Sequence, residues 1–164
     1  KRICMKHDKC GTPDCCQECG PIQNKLNRYV QILGNIDGDQ EKYLWIMDYG
    51  KNSIPMKNDY KVDEFEVKGC QTQTWLVPHF VDDKMYFSAD SNALISKGMV
   101  CIIADVYSGS SAQDINEFDQ DNFNELSLDT LLTPGRNNGV HSMLKLIKFY
   151  SGQNADNPQH SKAS

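Results

Sequence analysis

Two strand-like segments with a short turn between them place the strongest constraint on how this chain can fold. Thr72–Phe80 and Met85–Ser88 are rich in apolar residues, and only the four residues Val81–Lys84 separate them. A connection this short joins antiparallel neighbours, because parallel strands need a crossover of a dozen residues or more. A third strand-like piece, Phe65–Val67, precedes them, and Pro78 belongs near a strand end or an edge because it lacks a backbone donor. We therefore expect a small antiparallel sheet.

Apolar residues at helical spacing flank this hairpin on both sides. Two helices are predicted before it, the first ended by Gly34 and the second by Gly50, with Leu44 facing inward in the second. Four further segments are predicted after it: a long helix through Ala93–Val106, a short helix capped by Ser111, another helix over about Phe123–Leu126, and a last helix from about Val140 to Tyr150 that follows a turn at Thr133–Gly139. The order helices, small sheet, helices predicts an α+β domain with the sheet packed against the helices.

Size and charge narrow the class of protein. The chain has 164 residues, 39% of them hydrophobic, which suits one domain plus tails. A formal net charge of −5 disfavours nucleic acid as a partner, because phosphate binding needs a basic face. No apolar run approaches the roughly 20 residues of a membrane-spanning helix, and we expect a soluble protein without a membrane partner.

The cysteines divide the chain into unequal parts. Five of the seven lie within the first 19 residues, and Cys70 and Cys101 stand alone in the body, which is typical of a reducing compartment. We predict a cysteine-rich, flexible extension at residues 1–20, a folded domain at 21–151 and a disordered polar tail at 152–164. Cys16 and Cys19 form a CxxC pair that suits zinc, although the surrounding spacing is irregular and favours a reduced extension without metal.

The segment Gly69-Cys70-Gln71 presents a thiol at a backbone bend. Cys70 is a candidate sulfur nucleophile, and the alternative is a small buried residue at the start of a strand. Lys68 is close in sequence, and Arg136 lies in a segment that could fold back toward the thiol. Cys101 lies in an apolar helical stretch and is interpreted as a core residue.

Two other uses of these residues compete with this interpretation. A cysteine peptidase would need a histidine beside Cys70 with a third group to orient it, and His79, nine residues later, has no such partner in the pattern. An iron–sulfur or zinc scaffold would need about four ligands, and the body offers Cys70, Cys101, His79 and His141. The scaffold is kept as the alternative function, although no metal is assigned to the body.

Four blocks, within a match that covers roughly residues 36–150, form a more specific pattern. They are Glu41–Ile46 with Gly50, Val67–Val77, Ala89–Ala93 with Lys97-Gly98, and Leu132–Gly139. In this order and at this spacing the chain resembles the SufE family of sulfur-acceptor proteins. The second block resembles the family's active-cysteine segment, the third the start of its long helix, and the fourth its arginine-bearing loop.

The resemblance implies a fold and a function. The fold would be that of iron–sulfur scaffold proteins of the IscU type. Cys70 would take persulfide sulfur from a SufS-type, pyridoxal-phosphate-dependent cysteine desulfurase, stimulate its turnover and pass the sulfur to a SufB-containing scaffold complex. The protein itself would hold no cofactor and would act as a carrier rather than a stand-alone enzyme. The partner or active-site surface would comprise Gly69, Gln71, Gln73, Asp90, Asn92 and Arg136, with Asn92 where bacterial members commonly carry aspartate.

The chemistry of the residues agrees with this resemblance. Persulfide transfer is thiolate attack on sulfur, which needs one accessible cysteine and no acid–base pair, because the leaving group is itself a thiolate. We expect Cys70 to lie on a loop that tucks against apolar neighbours, with Trp75 or Leu76 as candidates. The lack of an initiator methionine, the extension and the abundance of asparagine favour a plastid-type organelle, with a bacterial cytoplasm as the alternative.

Overall fold

A computed structural model describes residues 20–155, so the predictions for residues 1–19 and for residues 156–164 lie outside the described part. The principal elements, in chain order, are α1 (Gly20–Gly34), α2 (Asp39–Lys51), β1 (Thr74–Val81), β2 (Lys84–Ser91), α3 (Leu94–Tyr107), α4 (Ala112–Glu117) and α5 (Pro134–Ala155). Single 3-10 turns cover Asn58–Tyr60, Asp63–Phe65 and Leu128–Thr130, and a longer one covers Gln120–Leu126. The predicted α+β class is confirmed. None of the described helices combines the length and hydropathy that a membrane-spanning segment requires.

The two strands form the predicted antiparallel hairpin. Val81 pairs with Lys84 at the turn, and Thr74 pairs with Ser91 at the open end. The turn residues Asp82 and Asp83 both have positive φ, at 52° and 65°, which is the geometry of a two-residue type I′ turn. The predicted strand at Phe65–Val67 is wrong: Phe65 ends a 3-10 turn, and only one isolated bridge, from Glu66 to Trp75, joins this segment to β1.

One face of the hairpin packs on α3, which supplies most of the core. Ile102 and Ile103 of α3, Leu76 of β1 and Met85 of β2 are almost completely buried there. The opposite face carries a smaller cluster that includes Trp75. Because side chains alternate across a strand, Trp75 and Leu76 point to opposite faces. The hairpin is therefore held between the main core and a covering loop.

Helices α2 and α3 pack unusually close together. Gly50 is not the predicted helix stop; it lies in the last turn of α2 against Gly98, and a Cβ there would lie 2.6 Å from the Gly98 nitrogen. The inward face also differs from the prediction, since Leu44 is 47% exposed and Ile46 is fully buried. The close contact between Gly50 and Gly98 sets the rotation of α2 about its axis. The spacing of apolar residues in the sequence cannot predict this contact, because its two glycines are far apart in the chain.

The last helix begins earlier than its sequence predicts. Pro134 is the first residue of α5, so Arg136 and Gly139 are helical rather than part of a loop. Proline favours this position because its missing N–H is one that a helix start leaves unpaired in any case. The prediction for Ser111 is confirmed, since its hydroxyl accepts a hydrogen bond from the Asp114 nitrogen at 3.1 Å and caps α4.

Candidate active site

Cys70 lies on a short closed loop that leads into β1. The Val67 nitrogen donates a hydrogen bond to the Thr74 carbonyl at 2.7 Å, which joins the two ends of the loop. Gly69 has φ +92°, a conformation that other residues rarely adopt, and it lies against Ser142 of α5. The backbone therefore turns sharply just before the thiol, as the sequence predicts, and the turn directs Cys70 toward α5.

The thiol occupies a small cavity between α3 and α5. Cys70 is half-buried, and its Sγ lies 3.8 Å from the Gly139 carbonyl oxygen. The cavity has a volume of about 10 Å³, roughly the space of one water molecule. Its apolar walls are Ile95, Met99, Leu132, Val140 and Met143. The loop thus tucks against apolar neighbours as expected, but Trp75 and Leu76 do not line this cavity.

The surroundings disfavour the charged form of the thiol. Burial raises the pKa of Cys70 above its ordinary value, and the negative charge of Glu66 raises it further. A hydrogen bond with the Thr74 side chain and the positive charge of Arg136 lower this pKa, but they do not outweigh burial. Lys68 instead pairs with Glu66: its Nζ lies 3.9 Å from that carboxylate, and its side chain is exposed. The resting thiol is therefore mainly protonated at neutral pH.

A buried serine joins the elements that surround the thiol. Ser96, in the first turn of α3, accepts a hydrogen bond from Arg136 Nη1 at 2.7 Å and another from the Thr72 hydroxyl at 3.3 Å. The Cys70 loop, α3 and α5 thus meet at one oxygen atom. Arg136 is brought to the thiol site as predicted. Sequence reasoning missed Ser96, whose only signal is a small polar residue in an otherwise apolar helical stretch.

The outer rim of the site is polar and exposed. Gln71 lies against Gly135 at the start of α5, and Asn92 Nδ2 donates to Gln73 Oε1 at 3.1 Å. Leu94, which sequence reasoning also missed, adds an exposed apolar side chain beside them. The structure therefore places Gln71, Gln73 and Asn92 on one accessible surface around the Cys70 loop.

Asp90 does not belong to that surface. It is only 4% exposed, so its predicted place on a partner-binding surface is corrected here. Its carboxylate accepts hydrogen bonds from the Met56 and Ser91 nitrogens and pairs with Lys61 and Lys97. Burial alone raises the pKa of Asp90, but these hydrogen bonds and positive charges outweigh it and lower the value. Asp90 ties the loop before β1 to β2 and α3.

Cys101 and the histidines lie apart from the Cys70 cavity. Cys101 is half-buried rather than a full core residue, and it lines a separate groove of about 710 Å³ between α2, α3 and β2. His79 Nε2 is 2.9 Å from the Ser88 hydroxyl, and His141 is exposed on α5. Within residues 20–155, no group of three or more histidine, cysteine or acidic side chains is arranged to hold a metal ion.

Comparison with known proteins assigns this chain to a family. The family model described as "SufE: Fe-S metabolism associated domain" matches residues 27–151, which include the Cys70 loop, α3 and most of α5. The chain belongs to the SufE family. The match covers well over half of the chain, and it confirms the resemblance drawn from the four sequence blocks.

Individual members of the SufE family are about one-third identical to this chain. "SufE-like protein 1, chloroplastic/mitochondrial" of Arabidopsis thaliana is 32% identical over 125 residues, which are 76% of this chain and 34% of that protein. This chain thus spans about a third of the length of the Arabidopsis protein. "Cysteine desulfuration protein SufE" of Wigglesworthia glossinidia brevipalpis is 32% identical over 126 residues, which are 76% of this chain and 87% of that protein.

A solved structure supports the fold of this SufE family member. The solution structure of a hypothetical protein from Thermus thermophilus matches with a TM-score of 0.66 and 15% identity. The match covers 80% of this chain and 96% of the other. At this identity the likeness bears on the fold alone.

Proposed function

We propose that this protein is a sulfur acceptor and that Cys70 carries the sulfur. The main support is the position of the thiol, half-buried in a small apolar cavity on a closed loop beside Arg136. Small thiols in solution easily reduce a persulfide. A cavity that keeps these thiols away from the bound sulfur therefore suits a sulfur carrier. The family description, which refers to Fe–S metabolism, supports the same conclusion.

The chemistry requires one thiolate and a donor persulfide. Cys70 loses its proton to solvent, and its thiolate attacks the terminal sulfur of a persulfide on the donor's cysteine. The sulfur–sulfur bond in the donor breaks as a new one forms on Cys70, and the donor cysteine leaves as a thiolate. The transfer involves no net oxidation and no metal. Because burial raises the pKa of Cys70, attack begins once the loop has left its cavity.

The proposed donor is a SufS-type cysteine desulfurase, and the proposed recipient is a SufB-containing scaffold complex. Removal of the persulfide frees the desulfurase cysteine and so stimulates its turnover. The name of the Wigglesworthia relative, a cysteine desulfuration protein, supports this choice of donor. The exposed residues around the loop, Gln71, Gln73, Asn92 and Leu94, form the surface that we assign to the desulfurase.

Sulfur transfer tests the proposal directly. The protein is mixed with a SufS-type desulfurase and cysteine, and the peptide that contains Cys70 is analysed by mass spectrometry for one added sulfur atom. We expect that addition in the wild type and in Cys101→Ser, and we expect Cys70→Ser to lose both the transfer and the stimulation of sulfide release. Stimulation that survives in Cys70→Ser would reduce the protein to an allosteric binder.

The scaffold alternative predicts a different result. A cluster or zinc scaffold would retain metal at a fixed stoichiometry after purification, and replacing Cys70 would lower that stoichiometry. The described residues offer no group of ligands for such a site. Metal analysis of the full chain beside Cys70→Ser distinguishes the two functions, since the carrier proposal predicts equal metal content in both.

We also propose a plastid-type organelle as the compartment, with a bacterial cytoplasm as the alternative. The chloroplastic/mitochondrial name of the Arabidopsis relative supports the first, and the Wigglesworthia relative supports the second. Fractionation of the source cells, with antibodies against the protein and against a plastid marker, separates these possibilities.

A further inference from the structure

The buried hydroxyl of Ser96 links the Cys70 loop to the helices that form its cavity. Ser96 is 8% exposed, and its Oγ accepts hydrogen bonds from Thr72 on the loop and from Arg136 on α5. Thr72 is only two residues beyond Cys70. The loop cannot carry its thiol out of the cavity without straining or breaking the contact between Thr72 and Ser96.

The same hydroxyl determines where the Arg136 charge lies. A hydrogen bond to a charged donor is stronger than a neutral one, and the distance of 2.7 Å from Nη1 to Oγ is short for such a pair. Among the described residues, the charged groups that act on the thiol are Arg136 from α5 and Glu66 from the segment before β1. Lys97, next to Ser96 on α3, is instead paired with Asp90.

We propose that Ser96 is a positioning residue that keeps the Cys70 loop closed and holds Arg136 beside the thiol. This inference rests on the proposed function of Cys70 as the sulfur acceptor. Ser96 touches neither the sulfur nor the donor; it acts through Thr72 and through Arg136. Its two bonds affect two separate properties, the fraction of time that the loop is open and the stability of the thiolate.

Alkylation of Cys70 by iodoacetamide separates these two properties. The chain has seven cysteines, so the rate is followed on the Cys70 peptide by mass spectrometry over a range of pH. The plateau rate at high pH reports access to the thiolate, and the midpoint reports the apparent pKa of the thiol. The measurement needs no desulfurase.

Three variants give distinct expectations. Ser96→Ala should raise the plateau rate about five-fold or more, the effect of losing roughly one net hydrogen bond from the closed loop, and should also move the midpoint to higher pH because Arg136 is no longer held. Thr72→Val should raise the plateau rate without moving the midpoint to higher pH, because Ser96 still holds Arg136. The matched control is Ser151→Ala, because Ser151 is fully buried and donates to the Lys148 carbonyl at the far end of α5. It should alter neither quantity.

Two outcomes would overturn the inference. One is a Cys70 rate and midpoint in Ser96→Ala that equal those of the wild type. The other is an equal change in Ser151→Ala, which would indicate general loosening. A wild type that receives no sulfur from the desulfurase, together with the expected alkylation pattern, would refute the proposed function and leave the role of Ser96 intact. If sulfur is transferred to Cys70 but Ser96→Ala changes neither the alkylation rate nor its midpoint, the proposed function stands and the role of Ser96 is refuted.

Discussion

Cys70 Sγ and the carbonyl oxygen of Gly139 lie 3.8 Å apart, and no side chain separates the thiol from the backbone of α5 at this point. A Cβ on residue 139 would lie 3.2 Å from that sulfur, closer than carbon and sulfur pack without adjustment. The absence of a side chain at Gly139 therefore lets the thiol enter its cavity between α3 and α5.

Gly139→Ala should displace the Cys70 thiol from its cavity. The added methyl group pushes the Cys70 side chain outward, and we expect faster alkylation of Cys70, measured on its peptide. Alanine is favoured over glycine in a helix by about 1 kcal/mol, and this gain offsets the cost of displacing the thiol, so the free energy of unfolding should change little. Gly152→Ala on the same helix is the control, because its nearest contact would be an ordinary 3.7 Å. Equal alkylation rates in both variants would contradict this account.

Glu66→Gln should lower the apparent pKa of the Cys70 thiol. The carboxylate raises that pKa through its negative charge, and glutamine removes the charge with little change in shape. The measurement is the pH midpoint of Cys70 alkylation, and the control is Glu64→Gln, an equal change of charge two residues away. A midpoint that rises in Glu66→Gln would contradict this account. It would show that the contacts of Glu66 with neighbouring residues affect the Cys70 thiol more than its negative charge does.

The raised pKa of Cys70 also predicts how stability depends on pH. A group whose pKa is higher in the folded state contributes stability that is complete below its unfolded value, about 8.5 for cysteine. That contribution is lost as the pH rises through the folded value. Urea unfolding at a series of pH values should show a steeper loss above about pH 8.5 in the wild type than in Cys70→Ser. Parallel curves for the two proteins would argue against a buried neutral thiol.

Asp90→Asn should destabilise the fold. The carboxylate accepts two backbone hydrogen bonds and pairs with two lysines, and the loss of such charged contacts costs about 2–3 kcal/mol. Because the pKa of Asp90 is lowered in the fold, its contribution is present above the unfolded value of about 3.9 and disappears as the pH falls through the folded value. Urea unfolding at pH 7 and at pH 3 measures both effects, and the exposed Asp129→Asn should change stability little at either pH.

The double change Asp82→Asn with Asp83→Gly should stabilise the hairpin. Both positions have positive φ, which costs an ordinary L-residue about 1–2 kcal/mol, and asparagine and glycine adopt that region more readily. We expect a gain of roughly 1 kcal/mol in the free energy of unfolding, with an unchanged rate of Cys70 alkylation. A loss of stability would show that the two aspartates make compensating interactions at the turn.

Much of the fold could be predicted from local pattern. The four residues between two apolar segments require an antiparallel hairpin, and the helical spacing of apolar residues locates α1, α3 and α5. The predictions of helix ends are wrong where contacts between residues distant in sequence determine the local structure. Gly50 resembles a helix stop but packs against Gly98, and Pro134 with Gly135 resembles a turn but starts α5.

The candidate site divides in the same way. Cys70 and Arg136 could be identified because a thiol after a glycine and a basic residue in a family-like block have recognisable chemistry. Asp90 is expected on the partner or active-site surface because of the resemblance to the SufE family, and only its hydrogen bonds and lysine partners explain its burial. Ser96 could not be predicted, because a serine in an apolar helix gives no indication of a role until its hydrogen-bond partners are known.

The order of the elements, the antiparallel hairpin, the family and the candidate thiol can all be predicted from the sequence. These follow from interactions over a few residues and from motifs with fixed spacing. The packing of the helices is what makes the thiol half-buried, raises its pKa and lets Ser96 join its loop to α3 and α5. Burial and charge depend on side chains that are distant in sequence and close in space, so they exist only once the helices have packed.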